Sequence, residues 1–281
     1  MTIKSILIHL DDSPDCATRL ETAVWLSHAF DAKVSGLHVY RADQLNLGMP
    51  PTYNAQGMTN AADNLILENR HQLQTEKNTI EEQIQHFNAR YQQDIHWQSV
   101  DGKLSECLAA HSCYHDLTIV SRNCAQEDLL DELFEAAANL AQKSPNAVLM
   151  LPEGFRSPVQ IQEPLVAWNG SRESARAVHE ALPLLRKAKL VDIIDGRDAD
   201  NRDEQESIAE YLQLHSVSSI RLAPKRLSND PSKNIIQYLE QGRNDLLVIG
   251  APAHHRIRDI ISGSSTRQVL KHSPVPVLLA S

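Results

Sequence analysis

Asp116-Leu117-Thr118-Ile119-Val120 and Asp245-Leu246-Leu247-Val248-Ile249 read as two versions of one strand, 129 residues apart in a chain of 281. The same separation of 129 residues, without a gap, relates Ser144-Pro145-Asn146-Ala147-Val148-Leu149 to Ser273-Pro274-Val275-Pro276-Val277-Leu278. A period of this length marks two copies of one folded unit, and the chain is long enough for each copy to bury its own core. The unbroken apolar runs Leu246-Leu247-Val248-Ile249 and Val275-Pro276-Val277-Leu278-Leu279 suit strands covered on both faces.

Outward from these anchors, strands and helices alternate. In the first copy the pattern predicts strands at Lys4 to Leu10, Lys33 to Tyr40, Ile95 to Val100, Asp116 to Ser121 and Ala147 to Leu151. Helices are expected at Pro14 to Asp31, Lys103 to Tyr114 and Gln126 to Lys143. A further long helix carries Ile66, Leu73, Ile80 and Phe87 every seven positions, with Ile84 and Tyr91 beside them, a narrow stripe for a core or a partner. Before it lies an irregular insert, Arg41 to Ala61, whose Leu45, Leu47, Met49, Tyr53 and Met58 suit either a lid or partner surface or a plain loop. Residues 152–164 are polar and hold three prolines, which reads as a linker between a first domain, 1–151, and a second, 165–281. The second copy predicts five strands again, and its charged stretch Gly196 to Glu206 reads as a solvated loop before a helix at Ser207 to His215. The fold class is therefore α/β: two five-stranded, parallel, Rossmann-like units in tandem.

Lys and Arg number 27 against 36 Asp and Glu, a formal charge of −9, which argues against nucleic acid or an anionic membrane as the main partner. No stretch is apolar for long enough to cross a bilayer, the first residues do not read as a cleavable signal, and four scattered cysteines suit a reducing cytoplasm. Any anion site must be local. In an open parallel sheet, ligands lie beyond the carboxyl ends of the strands, where helices begin. Gly250 ends one such strand, and Gly263-Ser264-Ser265-Thr266 opens the next helix, offering backbone N–H groups, hydroxyls and close backbone approach to a phosphate. Arg256 and Arg258, with His254 and His255, add donors between them.

Gly250, two residues, Ala253, nine residues, then Gly263 and Ser264 resembles the nucleotide-binding signature of universal stress proteins, which place Gly where this chain has Ala253. The likeness spans the whole chain and extends to the Asp245 to Gly250 and Ser273 to Leu279 stretches. It implies ATP, with or without Mg2+, held by the C-terminal unit as part of stress-response signalling. It further implies an acidic residue ending the first strand, where this chain has Asn169, and an adenine-bordering position near Ile194. Pairing of the units through their last strands into an internal pseudo-dimer, and association of two chains, follow from the same resemblance. The first copy replaces Gly250 by Ser121, Ala253 by Cys124 and Gly263 by Phe134, and adds Glu127, Asp128, Asp131, Glu132 and Glu135, so no nucleotide is expected there. The competing reading is an adaptor module whose site has decayed. Cys107, His111, Cys113 and His115 are of zinc-ligand type, but their spacing fits buried thiols and ordinary histidines better, and no metal site is expected. No nucleophile is paired with a base at a recognisable spacing, so slow ATP hydrolysis is the most catalysis expected.

Overall fold

The computed structural model describes residues 2–41, 59–122, 146–156, 161–195, 202–223, 230–251 and 265–281. The strands are β1 Ser5–Leu10, β2 Lys33–Tyr40, β3 His96–Asp101, β4 Leu117–Ser121, β5 Ala147–Leu151, β6 Pro164–Trp168, β7 Val191–Asp195, β8 Ile220–Leu222, β9 Leu246–Gly250 and β10 Val277–Ala280. The described helices are α1 Cys16–Phe30, α2 Thr59–Tyr91, α3 Leu104–Ser112, α4 Arg172–Leu185, α5 Arg202–Leu214, α6 Pro231–Glu240 and α7 Ser265–His272. The expected α/β class is what the chain adopts. The expected helix at Gln126 to Lys143 and most of the insert after Arg41 lie outside the described residues.

The ten described strands form one sheet in the order β3-β2-β1-β4-β5-β10-β9-β6-β7-β8. Neighbours within each half are parallel, and the halves meet at an antiparallel pair in which Val277, Leu278 and Leu279 face Met150, Leu149 and Val148. Successive side chains of each strand point to opposite faces. Ile6, Ile8 and Leu10 pack into one layer with Leu20, Val24, Ile80, Ile84 and Phe87. Leu7 joins the other layer with Leu104, Leu108, Val120 and Val148. Each such fully buried aliphatic side chain contributes about 1.5–3 kcal/mol relative to exposure.

The repeated aspartates that begin the two anchor strands do the same job twice. The Asp116 carboxylate accepts from the backbone N–H groups of Lys4 at 2.7 Å and Ser5 at 3.0 Å. The Asp245 carboxylate accepts from Gln162 at 2.5 Å and Glu163 at 3.1 Å. Each fixes the start of its half's first strand with charge-assisted bonds.

Two expectations need correction. Residues 161–164 are not a free linker: Ile161 is buried in the core, Gln162 and Glu163 are bound by Asp245, and Pro164 already belongs to β6. The charged stretch before Ser207 is not all loop, because α5 starts at Arg202 and Gln205 is buried within it. The α2 stripe does face the core, with Ile80, Ile84 and Phe87 buried, Tyr91 packed against them and Leu73 half-buried.

Candidate functional site

In the C-terminal half, β6 lies between β7 and β9, so the chain leaves it in one direction and returns on the other side. Such a point, where the strand order reverses, is where open α/β sheets bind ligands, beyond the strands' carboxyl ends. Register places Ala167 beside Ile249 and Ile194, so Asn169, Gly250 and the end of β7 come together at this edge. Asn169 is exposed, and its Oδ1 accepts from the Ser171 N–H at 3.1 Å. Ser171 in turn caps α4, its Oγ accepting from the Ser174 N–H at 3.1 Å. The Asn169 acceptor therefore serves the turn, and its side chain also carries two amide N–H donors. Ile194 is only 6% exposed and packs with Ala167 and Leu247, so it belongs to the core beneath this edge. The α7 helix begins at Ser265, with Thr266 half-buried. Ala253, Arg256, Gly263 and Ser264 lie outside the described residues.

Gly250 has a structural reason that sequence reading missed. A Cβ there would stand 2.5 Å from both the Glu173 carbonyl carbon and the Ser174 nitrogen, backbone atoms in the first turn of α4. Glycine lets β9 and the start of α4 touch, whatever ligand is present. The contact joins residues far apart in sequence, so no local pattern could show it.

The corresponding edge of the N-terminal half is chemically different. Asp11 follows β1, is buried, and forms an ion pair with Arg19. It also accepts from the Ser13 hydroxyl at 2.6 Å and its backbone N–H at 3.1 Å. Burial alone would raise the Asp11 pKa, but Arg19, His9 and the Ser13 bond together hold it well below the usual carboxylate range. His9, whose carbonyl accepts from Arg19 Nε at 2.7 Å, is lowered to about 4 because burial disfavours its cation more than Asp11 favours it. Asp12 is raised, first by burial and then by Glu76 and Asp11. A crevice of about 450 Å³ beside it is lined by Asp12, Glu68, Glu76, His71, Thr75 and Thr79. In the aligned framework, Asn169 and Ala177 stand where Asp11 and Arg19 form their pair. Both members of the pair are exchanged together, so at this position neither half keeps one buried charge without the other.

The Cys107 to His115 group is explained by helix-end chemistry. His111 Nδ1 meets the Cys107 carbonyl at 2.7 Å, and His115 Nδ1 meets the His111 carbonyl at 2.9 Å. Cys113 Sγ donates to the Ala109 carbonyl at 3.4 Å. Among the described residues, no three His, Cys, Asp or Glu side chains converge as a metal site. A groove of about 670 Å³ between α4 and α5, walled by Trp168, Val178, Ile208 and Tyr211 with His179 and Ser207 at its rim, also had no signature in the sequence.

Residues 163–281 match the universal stress protein family. A universal stress protein of Synechocystis sp. (strain ATCC 27184 / PCC 6803 / Kazusa) is 30% identical over 139 residues, 48% of this chain and 46% of that protein, so the match spans about half the relative's length. Among solved structures, a universal stress protein from Archaeoglobus fulgidus DSM 4304 superposes with a TM-score of 0.72 at 15% identity, covering 99% of this chain and 96% of its own. A putative universal stress protein from Pseudomonas aeruginosa UCBPP-PA14 gives 0.57 at 15% identity, covering 99% and 93%. These two similarities concern the fold.

Proposed function

We propose that the chain, whose residues 163–281 match the universal stress protein family, is an adenine-nucleotide-responsive stress-signalling protein that holds ATP in that half alone. The observation that carries this reading is the contrast between the two equivalent strand ends. In the N-terminal half, Asp11 is consumed by Arg19 and Ser13, and Asp12, Glu68 and Glu76 surround the opening with carboxylates. A triphosphate meets like charge there. In the C-terminal half, Asn169 is neutral and exposed, α7 presents its first turn, and the matched stretch contains Gly250, Gly263, Ser264, Ser265 and Thr266. The ribose or base meets Asn169 near Ile194, and the phosphates lie at the start of α7, where unpaired N–H groups and the helix dipole favour an anion. Arg256 and the backbone near Ala253 complete the cradle in this reading. The N-terminal half serves as a scaffold, the two halves forming an internal pseudo-dimer, a role supported by the antiparallel β5 and β10 pair. Occupancy of the C-terminal site is the signal that a protein partner or a second chain reads.

One observation favours the second reading, a nucleotide-free adaptor: Gly250 is required by its contact with α4, so its presence needs no ligand. Among the described residues, no helix is long and apolar enough to cross a membrane. A thermal-shift titration with ATP and Mg2+ separates the two. Saturation at about a hundred times the dissociation constant stabilises the folded state by about 2.7 kcal/mol. A midpoint that rises with ATP supports the nucleotide reading, and one that stays fixed at millimolar ATP supports the adaptor.

A further inference from the structure

Arg122 follows β4 in the N-terminal half, yet its side chain works in the C-terminal half. Its backbone N–H donates to the Leu151 carbonyl at 2.8 Å, which fixes the residue at the end of its own strand. From there Nη1 reaches the carbonyls of Leu270 at 3.3 Å, Lys271 at 2.8 Å and Ser273 at 3.2 Å. These belong to the last turn of α7 and the residue just beyond it, groups that a helix leaves without partners. A guanidinium there satisfies the carbonyls and complements the negative end of the helix dipole.

The surrounding contacts make this a rigid anchor. Val269 and Leu270 are buried beneath the guanidinium's target turn. The exit from α7 is pinned by the Ser273 N–H donating to the Val269 carbonyl at 2.8 Å and the Ser273 hydroxyl donating to the Val275 carbonyl at 2.7 Å. The chain then enters β10, which pairs with β5 of the N-terminal half. At eight residues, α7 is a rod of about 12 Å, so fixing one end fixes where the other points. The contact runs one way: the position equivalent to Arg122 in the repeat is Ala251, a methyl group that cannot reach back. The clamp thus holds the helix of the half that retains Gly263-Ser264-Ser265-Thr266.

Resting on the nucleotide reading above, we propose that Arg122 is a positioning residue by which the N-terminal half sets α7 and so tunes the phosphate end of the C-terminal site. The scaffold half then acts on affinity without touching the ligand. The test uses the full chain with Arg122→Gln and Arg122→Lys, with ATP and adenosine binding followed by calorimetry and backbone amide exchange followed without ligand. Arg122→Gln is expected to weaken ATP by about fivefold, the size of a typical charge and dipole contribution at a helix end. Adenosine binding should stay unchanged, Arg122→Lys should recover part of the loss, and the amides of residues 270–273 should exchange faster in the ligand-free Gln variant. Unchanged ATP affinity, equal losses for ATP and adenosine, or unchanged exchange at 270–273 would each overturn the proposal. Wild-type protein that binds no ATP would instead defeat the nucleotide reading itself, and this inference with it.

Discussion

Gly250→Ala separates a packing glycine from a ligand glycine. The added methyl would lie 2.5 Å from two backbone atoms of α4, Glu173 C and Ser174 N, and 2.9 Å from Glu173 Cβ. Backbone cannot swing aside as a long side chain can, and this turn is held by the Ser171 cap. Either β9 or α4 must shift, and overpacking of this kind costs about 3 kcal/mol, the upper part of its usual range. Gly154 supplies the control: its φ is +64 and nothing lies within 4 Å of where a methyl would stand, so Gly154→Ala should cost only the left-handed backbone penalty of about 1–2 kcal/mol. Guanidinium unfolding of both variants without nucleotide measures the difference. For a chain of this size, the Gly250 variant should melt at least about 6 °C lower. A Gly250→Ala protein within about 0.5 kcal/mol of wild type would refute the close-approach argument and return the glycine to ligand binding.

Other consequences follow from the buried polar groups. Asp192 is fully buried and accepts from Arg221 at 2.7 and 2.6 Å, Tyr238 at 3.2 Å and Asn244 at 3.0 Å. Asp192→Ala should therefore cost about 2–3 kcal/mol by denaturant titration, below the full buried-pair penalty because Arg221 can turn to water; a loss under about 0.5 kcal/mol would contradict this. His9 sits at about 4 in the folded state against 6.5 unfolded. As pH falls from 6.5 towards 4, the unfolded chain takes up a proton that the folded one refuses, so stability declines by up to about 3 kcal/mol across that window. His9→Asn should flatten the slope, and an identical slope in both proteins would rule out His9 as its source. Gly263→Asp should abolish ATP binding while leaving unfolding in the absence of ligand nearly unchanged; an unaltered dissociation constant would misplace the phosphate site.

Much of the architecture is legible in the sequence because the repeat preserves what the sheet needs. The two Asp-led apolar runs form β4 and β9, and the Ser-Pro runs lead into β5 and β10. Even the aspartates at their heads are equivalent, each binding the chain just before its half's first strand. The beginning of α5 escapes sequence reading because Arg202 to Glu206 carries no apolar residue, and a helix signalled only by later positions such as Ile208 and Leu212 shows no start. Ile161 is hidden in a polar, proline-rich stretch, though its side chain joins the core. At the site, strand-end positions such as Asn169 and Gly250 can be placed by counting. The roles of Arg19, Gly250 and Arg122 depend on contacts 8, 77 and 151 residues away in sequence, and residue type alone does not reveal such partners.

Crystals grown with ATP and Mg2+ give the most direct test of the asymmetry between the halves. One nucleotide per chain is expected, its phosphates at the first turn of α7 and its nucleoside beside Asn169, with the crevice at Asp12, Glu68 and Glu76 empty of phosphate. A triphosphate bound over Asp12 and Glu76 in the N-terminal half, or one in each half, would contradict this.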